Sequence, residues 1–468
     1  MTKLPLLMLS TALLAAPAPA LAQRTAAPAT AGDPKVAMLR DKALSDDTAY
    51  EIVEGLTTEV GPRMTGTEAA PRARAWSVAK LKAMGFKNVR IEPYQLPIWS
   101  RGTESATLIA PYTLPLHVVG LGNSGATPAG GLTLPIVYFA TYNDLALAPE
   151  GSLKGKIAFV SNAMQPTQDG SSYGSQGTAR FVGPNVAAKK GAAAIVIRSI
   201  GTDHGRGPHA GNTNFDPGVT PIPAAAVSVA DAEHLERLVK LGKPVTLRLV
   251  LESRQVGMRE SGNVVAEVPG TDPKAGIVLV GGHLDSWDLG TGAIDDGAGV
   301  AITAAAAKIV MDAPGTLRRT IRVVWFGDEE SGGFGGAAYA KAHAGERHAT
   351  AAESDFGADN VWRFESSLPD SAKPVVDRLA VALAPLGIIR GADVPHGGTD
   401  VGPIIATGVA GVDLNQSGQR YFDWHHTPED TLDRIDPAQL KQNVAAWTAM
   451  LATVANAPEE IGPIAPKN

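Results

Sequence analysis

The stretch that decides the fold is residues 277–287, IVLVGGHLDSW. Its first four residues are apolar and typical of a buried strand, and they run directly into a glycine pair, a histidine and an aspartate. A second stretch of this kind follows at residues 321–330, IRVVWFGDEE, and an Ala-rich helical segment at 297–312 separates the two. Alternation of buried strands with helices predicts an α/β layer fold.

The rest of the chain divides around this region. Residues 105–255 carry short β-like runs punctuated by Gly, Pro and Ser, which indicates a separate β-rich unit. We therefore expect the α/β domain in two parts, at 35–109 and 256–458, with an insertion at 110–255. Apolar residues at helical spacing predict that residues 35–92 are helical.

The amino terminus has the pattern of an export signal. Lys3 is followed by an apolar run at 4–14 that is too short to span a bilayer, and the triplet at 20–22 is an A-x-A cleavage site. We expect a signal peptide over residues 1–22, cleaved after Ala22, and a periplasmic or secreted protein that keeps no stable membrane insertion. The alternative is an uncleaved anchor.

Composition excludes several classes of site. The chain has 468 residues and a net charge of −6, which does not favour nucleic-acid binding or a polybasic membrane patch. It contains no cysteine. An exported chain without cysteine has neither disulfides nor thiolate ligands, so any metal must be held by His, Asp and Glu.

Residue types that bind metals recur near the predicted strand ends, where sites form in open α/β sheets. A carboxylate-rich site with two histidines suits zinc or a similar divalent ion. The candidate ligands are His283, Asp295, Glu330, Asp355 and His426. We expect Asp295 to bridge two ions, one held by His283 and Asp355 and the other by Glu330 and His426. Three carboxylates then leave one positive charge, which a bridging water or hydroxide neutralises.

Two further carboxylates are candidates for catalysis. Glu329 directly precedes a candidate ligand, so it can face the attacking water as a general base and pass the proton to the leaving amine. Asp285 lies two residues after His283, on the same face of an extended segment, and can accept from the far ring nitrogen. Together with Asp355, Glu329 can also form the negative wall that a free substrate amine needs.

Taken singly, each pattern has an ordinary structural explanation. The acidic pair at 329–330 precedes Ser-Gly-Gly and is typical of a solvated loop. Asp296 suits a helix cap. The pair at 425–426 is typical of surface histidines, and His-x-Asp at 283–285 occurs on many surfaces. Only their joint placement after buried strands favours a metal site.

The same residues carry a family resemblance. The chain resembles the di-zinc aminopeptidase family, metallopeptidase family twenty-eight, nearly from end to end. The metal-site motifs are GGHLDSW at 281–287, AIDDG at 293–297, DEE at 328–330, ESD at 353–355 and HHTPEDT at 425–431. The likeness extends to VGPR at 60–63, RGTESA at 101–106, IPA at 222–224 and HGGTD at 396–400.

This resemblance implies a fold and an activity. It implies a mixed, largely parallel sheet sandwiched by helices, the zinc exopeptidase fold, with a protease-associated domain as the insertion. It also implies two zinc ions on the five ligands named above, Glu329 as base and a cis peptide at Asp295–Asp296. The expected activity is that of an aminopeptidase or dipeptidase acting on short peptides with a free amino end, and the expected assembly is a homodimer.

Two other functions fit the same fold. One is a receptor-like binding protein without metals, and the other is a glutaminyl cyclase-type acyltransferase with a single zinc. Competent residues at all five ligand positions favour the peptidase.

Some positions depart from the family pattern. Asp328 stands where relatives often have a small residue and adds negative charge near the base, and residues 422–424 are more polar than expected. We read His425 as a non-ligand. His204 and His209 lie in a Gly-rich stretch that we read as a surface loop, with a lid over the site as the alternative.

Overall fold

A computed structural model describes residues 32–464, so the signal peptide predicted at 1–22 lies outside the described residues. The helices are α1 Pro34–Ala43, α2 Thr48–Gly55, α3 Ala69–Ala83, α4 Tyr142–Leu147, α5 Ser171–Gln176, α6 Thr178–Phe181, α7 Gly183–Lys189, α8 Val229–Lys240, α9 Ala298–Met311, α10 Phe334–Ala342, α11 Lys373–Leu383, α12 Gly398–Ile405, α13 Tyr421–Trp424 and α14 Pro437–Asn456. None of the helices in this range is both long and apolar enough to cross a membrane.

The strands form two eight-stranded sheets. Their bounds are β1 Lys87–Ser100, β2 Glu104–Ala110, β3 Leu114–Leu116, β4 Val118–Gly120, β5 Leu132–Phe139, β6 Ile157–Val160, β7 Ala194–Arg198, β8 Ala224–Val227, β9 Thr246–Leu251, β10 Arg254–Val268, β11 Ile277–His283, β12 Thr320–Phe326, β13 His348–Glu353, β14 Val361–Ser366, β15 Ile389–Arg390 and β16 Ala410–Gln416.

The first sheet carries the candidate site. Its strand order is β1-β10-β12-β11-β13-β16-β14-β15. Strands β12, β11, β13 and β16 are parallel neighbours. The pairs β1–β10, β10–β12 and β14–β16 are antiparallel, and β15 lies parallel to β14 at the edge. The predicted α/β fold with a mixed sheet between helices is confirmed.

The central strand β11 is buried on both faces, as its apolar sequence predicts. Val278 and Val280 point to one side, where they join a core with the alanines of α9 and the apolar face of α14. Leu279 points to the other side and joins Val401 and Ile404 of α12. Small alanine side chains let α9 lie close to the sheet, so the turn that precedes this helix is held near the end of β11.

The second sheet is built from the inserted residues, with order β3-β2-β9-β5-β6-β7-β8-β4. Its strands run from Glu104 to Leu251, compared with the predicted insertion at 110–255. Strands β5 to β8 are parallel, and α8 packs on one face. The unit thus contains helices as well as the expected strands. Its assignment as a protease-associated domain stays a prediction.

Two local expectations were wrong. Residues 87–92 were expected to be helical but begin β1, which pairs with β10, as in Ile91 with Val264, and alternates in exposure from residue 90 to residue 98. One of the short β-like runs expected within 105–255, at residues 227–229, instead covers the end of β8 and the start of α8. Ser228 caps that helix by accepting from the N–H of Asp231.

Candidate metal centre

Three parallel strands deliver candidate ligands to one edge of the first sheet. His283 is the last residue of β11, Glu330 follows the end of β12, and Asp355 follows the end of β13. The carboxyl ends of parallel strands share an edge, so these side chains converge. His426 does not follow a strand directly; it comes ten residues after β16 and just after α13.

Asp295 enters from the turn before α9, and its peptide bond to Asp296 is cis, as the family resemblance implied. The Asp296 carboxylate accepts from the main-chain N–H of His283 at 3.0 Å and of Gly299 at 2.9 Å. A Cβ at Gly282 or Gly299 would overlap this carboxylate. Glycine at both positions therefore lets the turn lie against the end of β11.

The first half of the cluster centres on His283. Its Nε2 lies 3.0 Å from Oδ1 of Asp295 and 3.5 Å from Oδ1 of Asp355. Its Nδ1 donates to the main-chain carbonyl of Asp285 at 3.0 Å. A carbonyl can only accept, so the hydrogen sits on Nδ1 and the lone pair of Nε2 faces the carboxylates.

The second half centres on His426. Its Nε2 lies 3.1 Å from Oδ2 of Asp295 and 3.1 Å from Oε2 of Glu330. Its Nδ1 donates to the carbonyl of Ala210 at 3.1 Å, which again leaves the Nε2 lone pair facing the carboxylates. Within residues 32–464, the buried Oδ2 of Asp295 and Oε1 of Glu330 have no hydrogen-bond partner. The Asp295 carboxylate thus lies between the halves, one oxygen towards each histidine.

The charges of this cluster favour a bound cation. Burial alone would lower the pKa of His283, yet Asp355 and the hydrogen bonds to Asp285 and Asp295 raise it well above its usual value. The pKa of His426 is likewise raised, against burial, by Glu330 and Asp295. In the metal-free chain these carboxylates therefore favour a second proton, on Nε2 of each ring, and a metal ion bound there would take the place of that proton.

Comparisons with known proteins agree with this geometry. The family model described as "Peptidase family M28" matches residues 263–451. Carboxypeptidase Q from Bos taurus is 32% identical over 420 residues, covering 89% of this chain and 87% of the relative. The chain belongs to peptidase family M28.

Solved structures give the same result. The structure of a peptidase M28 precursor from Shewanella amazonensis SB2B is 47% identical, with a TM-score of 0.90, and the match covers 92% of this chain and 98% of that one. A zinc aminopeptidase from Bacillus subtilis, 20% identical with a TM-score of 0.64 over 90% and 98% of the two chains, shares the fold. The protein is therefore a metallopeptidase, a hydrolase similar over most of its length to carboxypeptidase Q.

The predicted base of this M28 peptidase lies beside the ligand cluster. Burial raises the pKa of Glu329 to about 8; His283 opposes the shift, and the charges of Asp355 and Glu330 add to it. Burial likewise raises the pKa of Glu330 to about 7. These values belong to the metal-free chain, and a nearby cation shifts them downward.

Asp285 fixes the loop that carries the base. Its Oδ1 accepts from the N–H of Glu329 at 3.1 Å and its Oδ2 from the N–H of Glu330 at 3.2 Å. The predicted partner, Nδ1 of His283, lies 3.6 Å from Oδ1, and the carbonyl of Asp285 stands closer to it, at 3.0 Å. One residue thus orients both the histidine and the acidic loop, through different atoms.

The additional charge of Asp328 is turned away from the base. Its carboxylate accepts from Oγ1 of Thr65 at 2.7 Å and from the hydroxyl of Tyr94 at 2.8 Å. The polar Asp423 also has a partner, since its Oδ1 accepts from Oγ1 of Thr202 at 2.6 Å. Both departures from the family pattern are therefore satisfied by local hydrogen bonds.

The three other histidines that the sequence analysis singled out lie in different settings. His425 is buried and stacks on His426 with ring centroids 3.5 Å apart, and its Nε2 is 3.6 Å from Oδ2 of Asp295. His204 is exposed. His209 is only 1% exposed, and its Nδ1 lies 2.7 Å from the carbonyl of His425. The stretch that holds His204 and His209 therefore reaches the metal centre, and it does so at His209.

A cavity of about 450 Å³ opens onto the cluster, and both domains line it. The peptidase domain contributes Asp295, Glu329, Glu330, Asp355 and His426, together with Thr399 and Tyr421. The insertion contributes Tyr173, Arg180, Phe181, Asn212 and Asn214. The sequence did not indicate these insertion residues, because no local motif marks them and only the fold brings them to the site.

Proposed function

We propose that this protein is a zinc-dependent exopeptidase that hydrolyses dipeptides and other short peptides with a free amino terminus. The observation that carries the proposal is the buried cluster described above, which faces a cavity large enough for a short peptide.

The donor set fits two ions. Asp295 directs Oδ1 to His283 and Oδ2 to His426, as a bridging carboxylate would. Both histidines keep the Nε2 lone pair free, and buried oxygens of Asp295 and Glu330 lack partners within the described residues. Buried polar atoms without partners are costly, and metal ligation would satisfy them. Histidine nitrogens with carboxylate oxygens suit zinc.

Two bound zinc ions would supply a Lewis acid for the peptide carbonyl and lower the pKa of a coordinated water from near 16 to about 7. Glu329 would take the proton of the attacking water and deliver it to the leaving amine. Its main chain is held by Asp285, so the carboxylate is supported on a fixed loop. The acidic side chains of Glu329 and Asp355 also provide the negative wall for the substrate ammonium.

The part of the cavity that the insertion lines favours a substrate that also has a free carboxylate. Arg180 is 2% exposed, and its guanidinium donates to the carbonyl of Ala210 at 3.1 Å and to the hydroxyl of Tyr173. Its Nε has no partner, and no carboxylate of residues 32–464 forms an ion pair with it. A buried cation needs an anion nearby, and the carboxylate of a dipeptide would provide one.

The test measures hydrolysis of free, amino-acetylated and carboxyl-amidated dipeptides. Each is assayed with the protein as purified, after its metal is removed with a chelator, and after zinc is added back. We expect free dipeptides to be cleaved, acetylated ones to be spared and activity to follow the metal. Because Arg180 also donates to the Ala210 carbonyl, we expect Arg180→Met to raise KM about 10- to 100-fold more for free dipeptides than for carboxyl-amidated ones. Arg198→Met is the matched control, because Arg198 is a partly buried arginine of the same domain that is already paired with Glu233 at 3.0 Å. A zinc-loaded protein that cleaves no member of the panel contradicts the proposal.

A further inference from the structure

A segment of the insertion is bound to the loop that carries His426. In this junction segment, residues 202–212, the N–H of Thr202 donates to the carbonyl of Phe422 at 3.1 Å. Further along it, Ala210 exchanges two hydrogen bonds with His426: its N–H donates to the His426 carbonyl at 2.9 Å, and its carbonyl accepts from Nδ1 at 3.1 Å. The second bond decides which ring nitrogen faces the metal centre.

Two side chains hold Ala210 in place from either side. On one side, His209 is buried, with Nδ1 2.7 Å from the carbonyl of His425 and Nε2 2.9 Å from Oδ1 of Asp203. On the other, Asn212 donates from Nδ2 to the main-chain carbonyl of Glu330. The junction segment therefore contacts both residues of the second half of the cluster, His426 and Glu330.

The first half of the cluster, with His283 and Asp355, does not depend on the insertion in this way. His283 takes its carbonyl acceptor from Asp285, two residues away in the same domain. None of the hydrogen bonds of the junction segment that lie within residues 32–464 reaches His283, Asp285 or Asp355.

We propose that the insertion sets the affinity of one ion of the pair, the ion held by Glu330 and His426, with His209 and Asn212 as positioning residues. The proposal rests on the two-ion centre proposed above. Without His209 the Ala210 carbonyl keeps its hydrogen bond from Arg180 but loses the support on its other side, so the ring of His426 is held less firmly and can turn or exchange its hydrogen. Without Asn212 the carbonyl of Glu330 loses its donor. The ion between His283 and Asp355 keeps all of its supports.

The experiment measures zinc affinity of the metal-free protein by calorimetry and by competition with a chelating dye. Two ligand variants isolate the ions: His283→Ala leaves the Glu330/His426 ion, and His426→Ala leaves the His283/Asp355 ion. His209→Ala and Asn212→Ala are then added to each background. His204→Ala is the matched control, because His204 lies in the same segment with an exposed side chain.

In the His283→Ala background we expect either junction substitution to weaken zinc binding about 10- to 100-fold. In the His426→Ala background we expect no change. His209→Gln retains a side-chain donor and should restore much of the affinity, which a merely structural loss of packing would not allow. If His209→Ala does not fold, as judged by circular dichroism, Asn212→Ala carries the test, because its side chain is only partly buried.

The inference is overturned if the junction substitutions weaken the binding of both ions equally, or the binding of neither. A wild-type chain that binds no zinc overturns the proposed function, and the inference falls with it. If the wild-type chain binds two zinc ions and the substitutions in the junction segment change neither affinity, the proposed function stands and only the role of the insertion is removed.

Discussion

His283 and His426 have the same local chemistry but different origins. Each donates from Nδ1 to a main-chain carbonyl and directs Nε2 to Asp295. The carbonyl for His283 is two residues away, whereas the carbonyl for His426 is 216 residues away, in the inserted domain. One half of the centre is therefore held by its own strand end, and the other half depends on the docking of a second domain.

The difference shows that the insertion does more than narrow the cavity. An orienting acceptor from the same loop forms whenever β11 is formed. An acceptor from another domain forms only when that domain is in place, so the affinity of one ion becomes coupled to the domain contact. The predictions below test how independent the two halves are.

The largest effect is expected at the base that serves both halves. Glu329→Gln removes the proton acceptor but no ligand, so kcat should fall about 10²- to 10⁴-fold while both ions remain bound. The measurements are steady-state kinetics and zinc content by atomic emission. A variant that loses an ion together with its activity would show that Glu329 is itself a ligand.

A second substitution tests the part of the centre that the halves share. Arg63 is fully buried and donates to the carbonyls of Leu284, Thr291 and Gly292, which flank His283 and precede Asp295. Arg63→Met leaves these carbonyls without a donor, at a cost of about 1–3 kcal/mol each. Because Asp295 faces both ions, we expect both to bind about 10- to 100-fold more weakly, measured by the same zinc titration.

This outcome differs from that of the junction variants, His209→Ala and Asn212→Ala, which should weaken the binding of one ion only. Arg72→Met is the control, since Arg72 is exposed and donates to a single carbonyl, that of Val60. If Arg63→Met weakens one ion and spares the other, Asp295 does not link the two halves. If Arg63→Met is too unstable for the zinc titration, Arg63→Lys is used in its place, because lysine retains a side-chain donor.

The convergence of His283, the acidic loop and Asp355 could be predicted from the sequence, because its determinants are local. A buried strand that ends in His283, and the acidic loop after the next strand, are visible as patterns, and parallel strands bring them together. Asp355 was found in the same way, one strand further along. The cis bond after Asp295 came from the family resemblance and not from any property of the two residues.

The sequence could not predict what the insertion contributes. The decisive group at Ala210 is a main-chain carbonyl, which every residue has, and its partner lies 216 residues away. Arg180 and Asn212 stand in stretches without a motif, and their meaning depends on how the second sheet faces the first. The flanking His209 was noticed only as one of two histidines in a Gly-rich loop.

A smaller effect is expected at Asp285, which supports both His283 and the acidic loop from within the peptidase domain. Its two oxygens accept from the N–H groups of Glu329 and Glu330. Asp285→Asn turns one of these oxygens into a donor facing a donor, so kcat/KM should fall about tenfold, the low end of effects at residues behind metal ligands. Asp288→Asn is the control, because that carboxylate pairs with Arg101 and not with the acidic loop. Equal losses in the two variants would show that the loop needs no such support.

The last prediction concerns the effect of pH on stability and compares the metal-free with the zinc-loaded protein. In the metal-free chain, burial raises the pKa of Glu329 to about 8 and those of Glu330 and Asp430 to about 7. The unfolded chain releases these protons near pH 4, so the folded state binds more protons between about pH 4 and about pH 8. Stability of the metal-free protein should therefore fall as pH rises through this window, by about 1.4 kcal/mol per pH unit for each retained proton.

Bound zinc would replace the proton of Glu330, and its charge would lower the pKa values of Glu329 and Asp430, so the zinc-loaded protein should lose less stability over the same range. Thermal unfolding of both forms from about pH 5 to about pH 8 tests this, since the folded carboxyl groups titrate there. Glu329→Gln removes one titrating group and should flatten the curve of the metal-free form. If the Tm of the metal-free protein stays level or rises with pH, these carboxylates are solvated. The ligand cluster shared by the two halves would then not be buried as described above.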